Sequence, residues 1–437
     1  MISKFEIKGQ WFLPSEKDNR VSGFLLYDPD AGITLELFGN FSKNQLFPNL
    51  RNDEFILGIT NDSRQITLHH CQVTKTGGAT LVVGEESGIP ITIYRVRYLL
   101  IGTYINNTND FKFNRISCEI HNLDEWVGIS GFDIENDHKN LKISVDYKLP
   151  SAIEFTIDDT VSGKLKFIVK PPTSFHYQKD ISINQRVAFE INTDEEKSLE
   201  ELLLYVNKFQ NFLIFALYKS TFPTSIRIKG DRHIENYGDK TDKKNIEVYF
   251  QTSSSNTLVK PIYDYEMLFS YKSIQDDFPE LIKNWFEKYS LLEPSINLLI
   301  EQFYNGNRFT TNTFLNLAQS AETFHARIYN QPRKILRDRL SELVDKYSNE
   351  ALNEIIDNKG KFIDQVIDSR NYYTHYSKKG KKNTLVGQEL SFLSKKLQVL
   401  LVCAFIIEIG FTKEKVSILL NNNYQSELIW CKKFCGF

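Results

Sequence analysis

The residues best suited to chemistry are consecutive: Arg370-Asn371-Tyr372-Tyr373-Thr374-His375, followed by Tyr376-Ser377 and the basic run Lys378-Lys379-Gly380-Lys381-Lys382. Arginine presents a planar fork of donors that matches phosphate oxygens. Histidine ordinarily titrates near pH 6.5, so it can take a proton and return it close to neutrality. With Asn371 able to orient the imidazole or donate to phosphate, this set suits attack on a phosphodiester. Lys378, Lys379, Lys381 and Lys382 would add attraction to a nucleic-acid backbone regardless of its sequence. From these residues alone an alternative stays open: an amphipathic helix whose arginine snorkels and whose histidine is a surface residue.

A helix from about Lys361 to Tyr376 must position them. At about 100° per residue, Phe362, Ile363, Val366, Ile367 and Tyr373 share an apolar arc. Arg370 falls in the middle of that arc and therefore calls for a partner, while Asn371 and His375 lie at its edge. Other helices are expected at Pro279 to Tyr289, Pro294 to Tyr304, Thr310 to Tyr329, Arg333 to Lys346 and Leu390 to Gly410. Thr412 to Leu420 and Tyr424 to Phe434 follow, with Cys431 and Cys435 read as packing residues. The apolar Leu390 to Gly410 segment is the expected centre of an antiparallel bundle. On the Thr310 helix, Glu322 and His325 sit one turn apart, at the border of its apolar stripe, and are candidates to face His375. Arg333, Lys334, Arg337 and Arg339 offer a second basic surface, although a charge run is usually a solvated face.

The N-terminal half reads differently. Short β-type runs separated by turn residues extend from Phe5 to about Ile191, among them Val21 to Tyr27, Ile33 to Phe38, Phe55 to Thr60 and Ile91 to Gly102. One long helix starts at Ser198 and stops at Phe222-Pro223, and Gly230 to Asn245 reads as an exposed polar loop. Trp11 is an expected core anchor. His69-His70-Cys71 is a compact metal-like cluster, with His69 and Cys71 on one face of a strand and His70 on the other. No second Cys or His pair lies at zinc spacing, so no metal and no other cofactor are expected. The expected architecture is α+β. A β-rich, sandwich- or barrel-like domain (1–260) with one long helix precedes an all-α bundle (261–437) with its core at about 308–411.

Composition narrows the function. A chain of 437 residues with net charge −2 is not a general nucleic-acid coat protein, so any basic contact must be local. Five scattered cysteines fit a reducing cytoplasm. The N-terminus has no run of signal-peptide length, and the longest apolar run, Val399 to Ile407, is far short of a membrane span, so a cytoplasmic protein without membrane contact is expected. Phosphate-binding glycine loops and paired metal carboxylates are missing from the sequence, which argues against a nucleotidyl transferase.

Arg370 to His375 resembles the Arg-x4-His motif of HEPN ribonucleases. Phe314 to His325 resembles the first core helix of the ApeA-like HEPN group. Gly9-Gln10-Trp11-Phe12-Leu13-Pro14, Gly23-Phe24-Leu25 and Leu35 to Gly39 resemble the domain that precedes HEPN in ApeA anti-phage proteins. The resemblance implies RNA cleavage that halts growth of an infected cell, as in abortive infection. With no convincing metal-ligand set in the sequence, the expected endoribonuclease chemistry is metal-independent and leaves 2′,3′-cyclic phosphate and 5′-hydroxyl ends. Arg370, His375 and Asn371 would be catalytic, Lys378, Lys379, Lys381 and Lys382 RNA-binding, and Glu322, His325 and Tyr376 auxiliary. The resemblance also implies an RNA substrate, with tRNA a candidate, and at least a homodimer through HEPN. By elimination the N-terminal domain is the candidate sensor or inhibitor, with a phage-derived trigger as its expected signal. The rival reading is a non-catalytic HEPN-like module for dimerisation or RNA binding, partnered with another effector.

Overall fold

The computed structural model describes residues 3–42, 52–77, 90–172, 181–238, 240–252, 261–304, 309–376 and 384–421. Lys378, Lys379, Lys381, Lys382, Cys431, Cys435 and the expected helix at Tyr424 to Phe434 lie outside these residues.

The first strands close a barrel. They are β1 (Phe5–Phe12), β2 (Val21–Asp28), β3 (Gly32–Phe38), β4 (Asp53–Thr60), β5 (Gln65–Gly77) and β6 (Ile91–Ile101). Turn chemistry sets the β2–β3 register: the Asp28 carboxylate accepts from the amides of Asp30 and Ala31, and Gly32 takes φ +93°. The antiparallel order β6-β3-β2-β1-β4-β5 returns to β6, because β5 also pairs with β6. Trp11, Leu25, Tyr27, Leu35, Ile56, Leu68 and Leu99 form its interior core. Trp11 is fully buried and rests on Gly58, where a Cβ would lie 2.4 Å from the indole. The barrel interior is therefore packing, as small barrels usually are.

Beyond β6 the sheet continues outside the barrel as β16 (Ile246–Tyr249), β13 (Pro223–Lys229), β7 (Lys112–Ile120), β12 (Asn184–Ser198), β11 (Val161–Lys170) and β10 (Ile153–Asp158). Two hairpins stand apart, β8 (Phe132–Asp137) with β9 (Lys142–Tyr147), and β14 (Ile234–Tyr237) with β15 (Lys240–Lys243). The expected Gly230 to Asn245 loop is thus largely a hairpin, and its root is tied down. Arg232 pairs with Glu196 and Asp110, while His233 is buried and stacks on Phe113.

Helix α1 (Leu123–Val127) is short; α2 (Leu199–Leu217) is the long helix expected from sequence. Ser198 caps α2 and Glu201 closes a capping box with it. Phe209 of α2 stacks on Phe189 of β12 with ring centroids 4.0 Å apart.

The helical region comprises α3 (Tyr271–Ile274), α4 (Phe278–Tyr304), α5 (Thr311–Ile328), α6 (Leu336–Tyr347), α7 (Glu350–Ile355), α8 (Lys359–His375) and α9 (Gln388–Glu408), with residues 413–421 also helical. Two helices expected before Tyr304 are one, since α4 runs through Pro294. Proline removes the amide that would bond Ser290, and Arg327 of α5 supplies a replacement, its Nη1 lying 3.4 Å from the Ser290 carbonyl and 3.2 Å from that of Leu291. Helix α6 starts later than expected because Arg339 is buried and donates to the carbonyls of Gln331, Pro332 and Lys334, fixing a non-helical turn before it. Helix α9 is long and apolar enough to cross a membrane, but 72% of its most apolar window is buried inside the protein, where it packs on α5, α6, α7 and α8.

One hydrophobic core runs without a break from the outer sheet through α2 into the helices. Trp285 of α4 packs on Phe212 and Phe215 of α2, and its indole donates to the Lys208 carbonyl at 2.8 Å. The barrel interior is a separate core.

Candidate active site

Helix α8 is built to present its last turn. Asn358 caps its start by accepting from the Lys361 amide, and Tyr376 ends it in the left-handed region at φ +48°. Phe362, Ile363, Val366 and Ser369 are its buried residues. Arg370 falls in the same angular sector one turn later, yet it is only half-buried. At that height it faces a carboxylate on α5. Arg370 Nη2 lies 3.5 Å from Glu322 Oε1, with 34% and 26% of the two side chains exposed. The partner demanded by an arginine in an apolar arc is therefore within the chain.

Arg370 also donates from Nη1 to Asn371 Oδ1 at 3.4 Å. Thr374 returns its hydroxyl to the Arg370 carbonyl at 2.7 Å, which closes the last turn. The His375 side chain is exposed and makes no hydrogen bond to another described residue. Tyr376 is 65% exposed and packs edgewise on Tyr373 and tilted on Tyr372. The motif thus places a cation held by a carboxylate and, five residues on, an imidazole open to solvent, both in the last turns of one helix.

Two contacts that sequence reasoning does not find brace this end. Tyr373 donates to the Leu385 carbonyl at 2.8 Å, and Ser369 accepts from the Leu385 amide at 3.2 Å. They pin the chain to α8 where the described residues resume. Their only signal is two polar residues on a buried stripe, and nothing points to Leu385.

The other sequence candidates divide. Glu322 is brought to Arg370, and its own carbonyl accepts from Arg339 Nη1 at 2.7 Å, so α6 steadies the turn that holds it. His325 goes elsewhere. It is fully buried, stacks on Tyr329, and its Nε2 lies 2.7 Å from Glu342 Oε2 on α6. Burial holds this imidazole below its ordinary range, against the Glu342 hydrogen bond that favours its protonation. Lys334 also pairs with Glu342, and Arg337 pairs with Asp364 at 2.6 Å. Arg333 is exposed, whereas Arg339 is structural.

The metal-like triplet also departs from expectation. Leu68 and Cys71 both face the barrel core, whereas His69 stacks on Phe55 and Phe111 of the outer core. His70 at φ +56° breaks the alternation, so His69 and His70 lie together and Cys71 faces away.

The chain is thus a β-barrel with an outer sheet, joined to a helical bundle that carries an arginine and a histidine in the last turns of one helix. Residues 6–285 match the family model of ApeA N-terminal domain 1, and residues 315–415 match that of Apea-like HEPN. The chain belongs to the ApeA family of HEPN proteins. This is a family of HEPN nucleases and anti-phage defence, and HEPN domains generally are ribonucleases that commonly dimerise. No curated protein and no solved structure matches the chain.

Proposed function

We propose that the protein is a metal-independent endoribonuclease of abortive infection. The observation that carries this reading is the last turn of α8, where Arg370 is held by Glu322 while His375 is left open to solvent. RNA brings its own nucleophile, the 2′-hydroxyl beside the scissile phosphate. His375 removes that proton or protonates the leaving 5′ oxygen, and His375 of a second copy takes the other role in a HEPN dimer. Arg370 holds the phosphate as charge builds on its oxygens. Asn371 orients the Arg370 fork to which it is already bonded. Lys378, Lys379, Lys381 and Lys382 draw in the RNA backbone, and Tyr376 offers an exposed ring for a base.

The β-rich domain (1–260) is the part that keeps the nuclease silent until a phage-derived trigger arrives, in the cytoplasm of the infected cell. RNA cut this way carries 2′,3′-cyclic phosphate and 5′-hydroxyl ends, the cut proceeds equally well in EDTA, and DNA is not cut. A single 2′-deoxy nucleotide 5′ of the scissile phosphate should block cleavage at that bond alone. A 5′-phosphate product, or cleavage at the deoxy position, overturns the mechanism.

The Arg370–Glu322 pair also favours a second reading, in which Arg370 is a structural ion-pair member and the bundle serves only for dimerisation or RNA binding. Expression in cells separates the two. Toxicity that disappears with His375→Ala at equal protein level supports catalysis, and toxicity that persists supports the rival.

A further inference from the structure

We propose that His69, His70 and Glu200 form a binding site for a divalent transition metal of the zinc class, clasping strand β5 of the barrel to the first turn of α2. The ligand-capable atoms of these three side chains lie within 4.8 Å of one another. Ligands about 2.0 Å from a tetrahedral zinc lie roughly 3.3 Å apart, so small side-chain rotations close the set around an ion.

Three observations single this cluster out. His69 is buried, at 4% exposure, and neither of its ring nitrogens has a hydrogen-bond partner among the described residues. An orphaned buried imidazole is costly, and a metal ion would satisfy one of its nitrogens. His70 adopts φ +56°, a conformation that non-glycine residues seldom take, and this brings its ring to 3.9 Å from that of His69. Glu201 carries the capping box with Ser198, so the cap does not use the Glu200 carboxylate, which lies beside the Tyr98 phenol.

The electrostatics are mixed and still suit a cation. Arg97 opposes a nearby cation, but its guanidinium lies over the Tyr98 ring. The Glu200 carboxylate supplies the compensating charge. His70 also lines a cavity of about 850 Å³ with Asp53, Glu54 and Tyr98. That cavity gives the ion a way in and leaves room for water at a fourth position, the arrangement of a three-ligand zinc site.

The site lies on the barrel, on different elements from Arg370 and His375, and its test uses no cleavage assay. Untagged full-length protein is titrated with Co²⁺ and, separately, Zn²⁺. Wild type should develop cobalt d–d absorption that saturates at one ion per chain, and its melting temperature should rise with Zn²⁺. His70→Ala removes an exposed side chain and should fold normally. It should bind at least about tenfold more weakly and lose the zinc-dependent shift in melting temperature. Glu200→Gln should do the same. The proposal is overturned if wild type takes up neither ion, or if both variants bind as wild type does.

Discussion

Arg370 of α8 and Glu322 of α5 form an ion pair at 3.5 Å that joins the motif helix to the helix beside it. Both side chains are partly exposed, so the pair adds little stability, of the order of 0.2–1 kcal/mol for such pairs. Its value lies in aim. Glu322→Gln should leave the melting temperature nearly unchanged while lowering kcat for RNA cleavage about ten- to hundredfold, with KM less affected. Glu322→Asp should recover part of the loss. Arg370→Ala should cost more, about 10²- to 10³-fold. A Glu322→Gln protein with full kcat would show that the pair does not aim the arginine.

The His375 side chain makes no hydrogen bond to another described residue and is exposed. His375→Ala should therefore melt within about 0.5 kcal/mol of wild type, the range of ordinary surface substitutions, and should cut no RNA. Thermal melting beside cleavage checks both halves, and a large drop in melting temperature would make the residue structural.

Changing Lys378, Lys379, Lys381 and Lys382 together to Gln should weaken RNA binding and flatten its salt dependence. The logarithmic slope should fall by about 0.7 for each phosphate that is no longer neutralised. An unchanged slope would place the RNA path on Arg333 and its neighbours instead.

Gly58 has no room for a side chain, because a Cβ would sit 2.4 Å from the Trp11 indole. Gly58→Ala should destabilise the barrel by about 1–3 kcal/mol, read as a lower midpoint in urea. The double variant with Trp11→Phe should recover part of that loss.

Glu408 predicts a pH dependence. Its carboxylate accepts from Tyr347 at 2.7 Å and Lys346 at 2.9 Å, and Lys288 lies 3.6 Å away. Burial alone would raise its pKa, but the hydrogen bonds from Lys346 and Tyr347 outweigh it and leave the group below its ordinary value of 4.5. A carboxylate lowered in the folded state contributes stability that is present above its unfolded pKa and lost as pH falls through the folded one. Glu408→Gln should cost about 1–3 kcal/mol at pH 7, and the difference from wild type should shrink as pH falls below 4.5. Urea melts at the two pH values measure it.

What can be read from sequence is local. Ser198 with Glu201 announces α2, the apolar arc announces α8, and an arginine within that arc announces a partner. What cannot be read depends on groups far apart in the chain. Barrel closure rests on β5 meeting β6, and periodicity carries no trace of it. Pro294 reads as a helix break because the guanidinium that relieves it comes from Arg327, 33 positions away. His325 reads as a site residue because its partner, Glu342, belongs to another helix. Strand alternation puts His69 and Cys71 on one face, and a single residue at positive φ separates them.

The unbroken core from the outer sheet through α2 to α9 also bears on how such a protein can be rearranged. Phe215 of α2 touches Trp285 of α4 and Phe405 of α9. A crossover in the polar stretch before α3 would leave these rings facing water on one piece and an unfilled hollow on the other. New domains can be grafted onto this chain at the barrel, whose interior packs by itself. They cannot be exchanged at the helical bundle unless α2 travels with it.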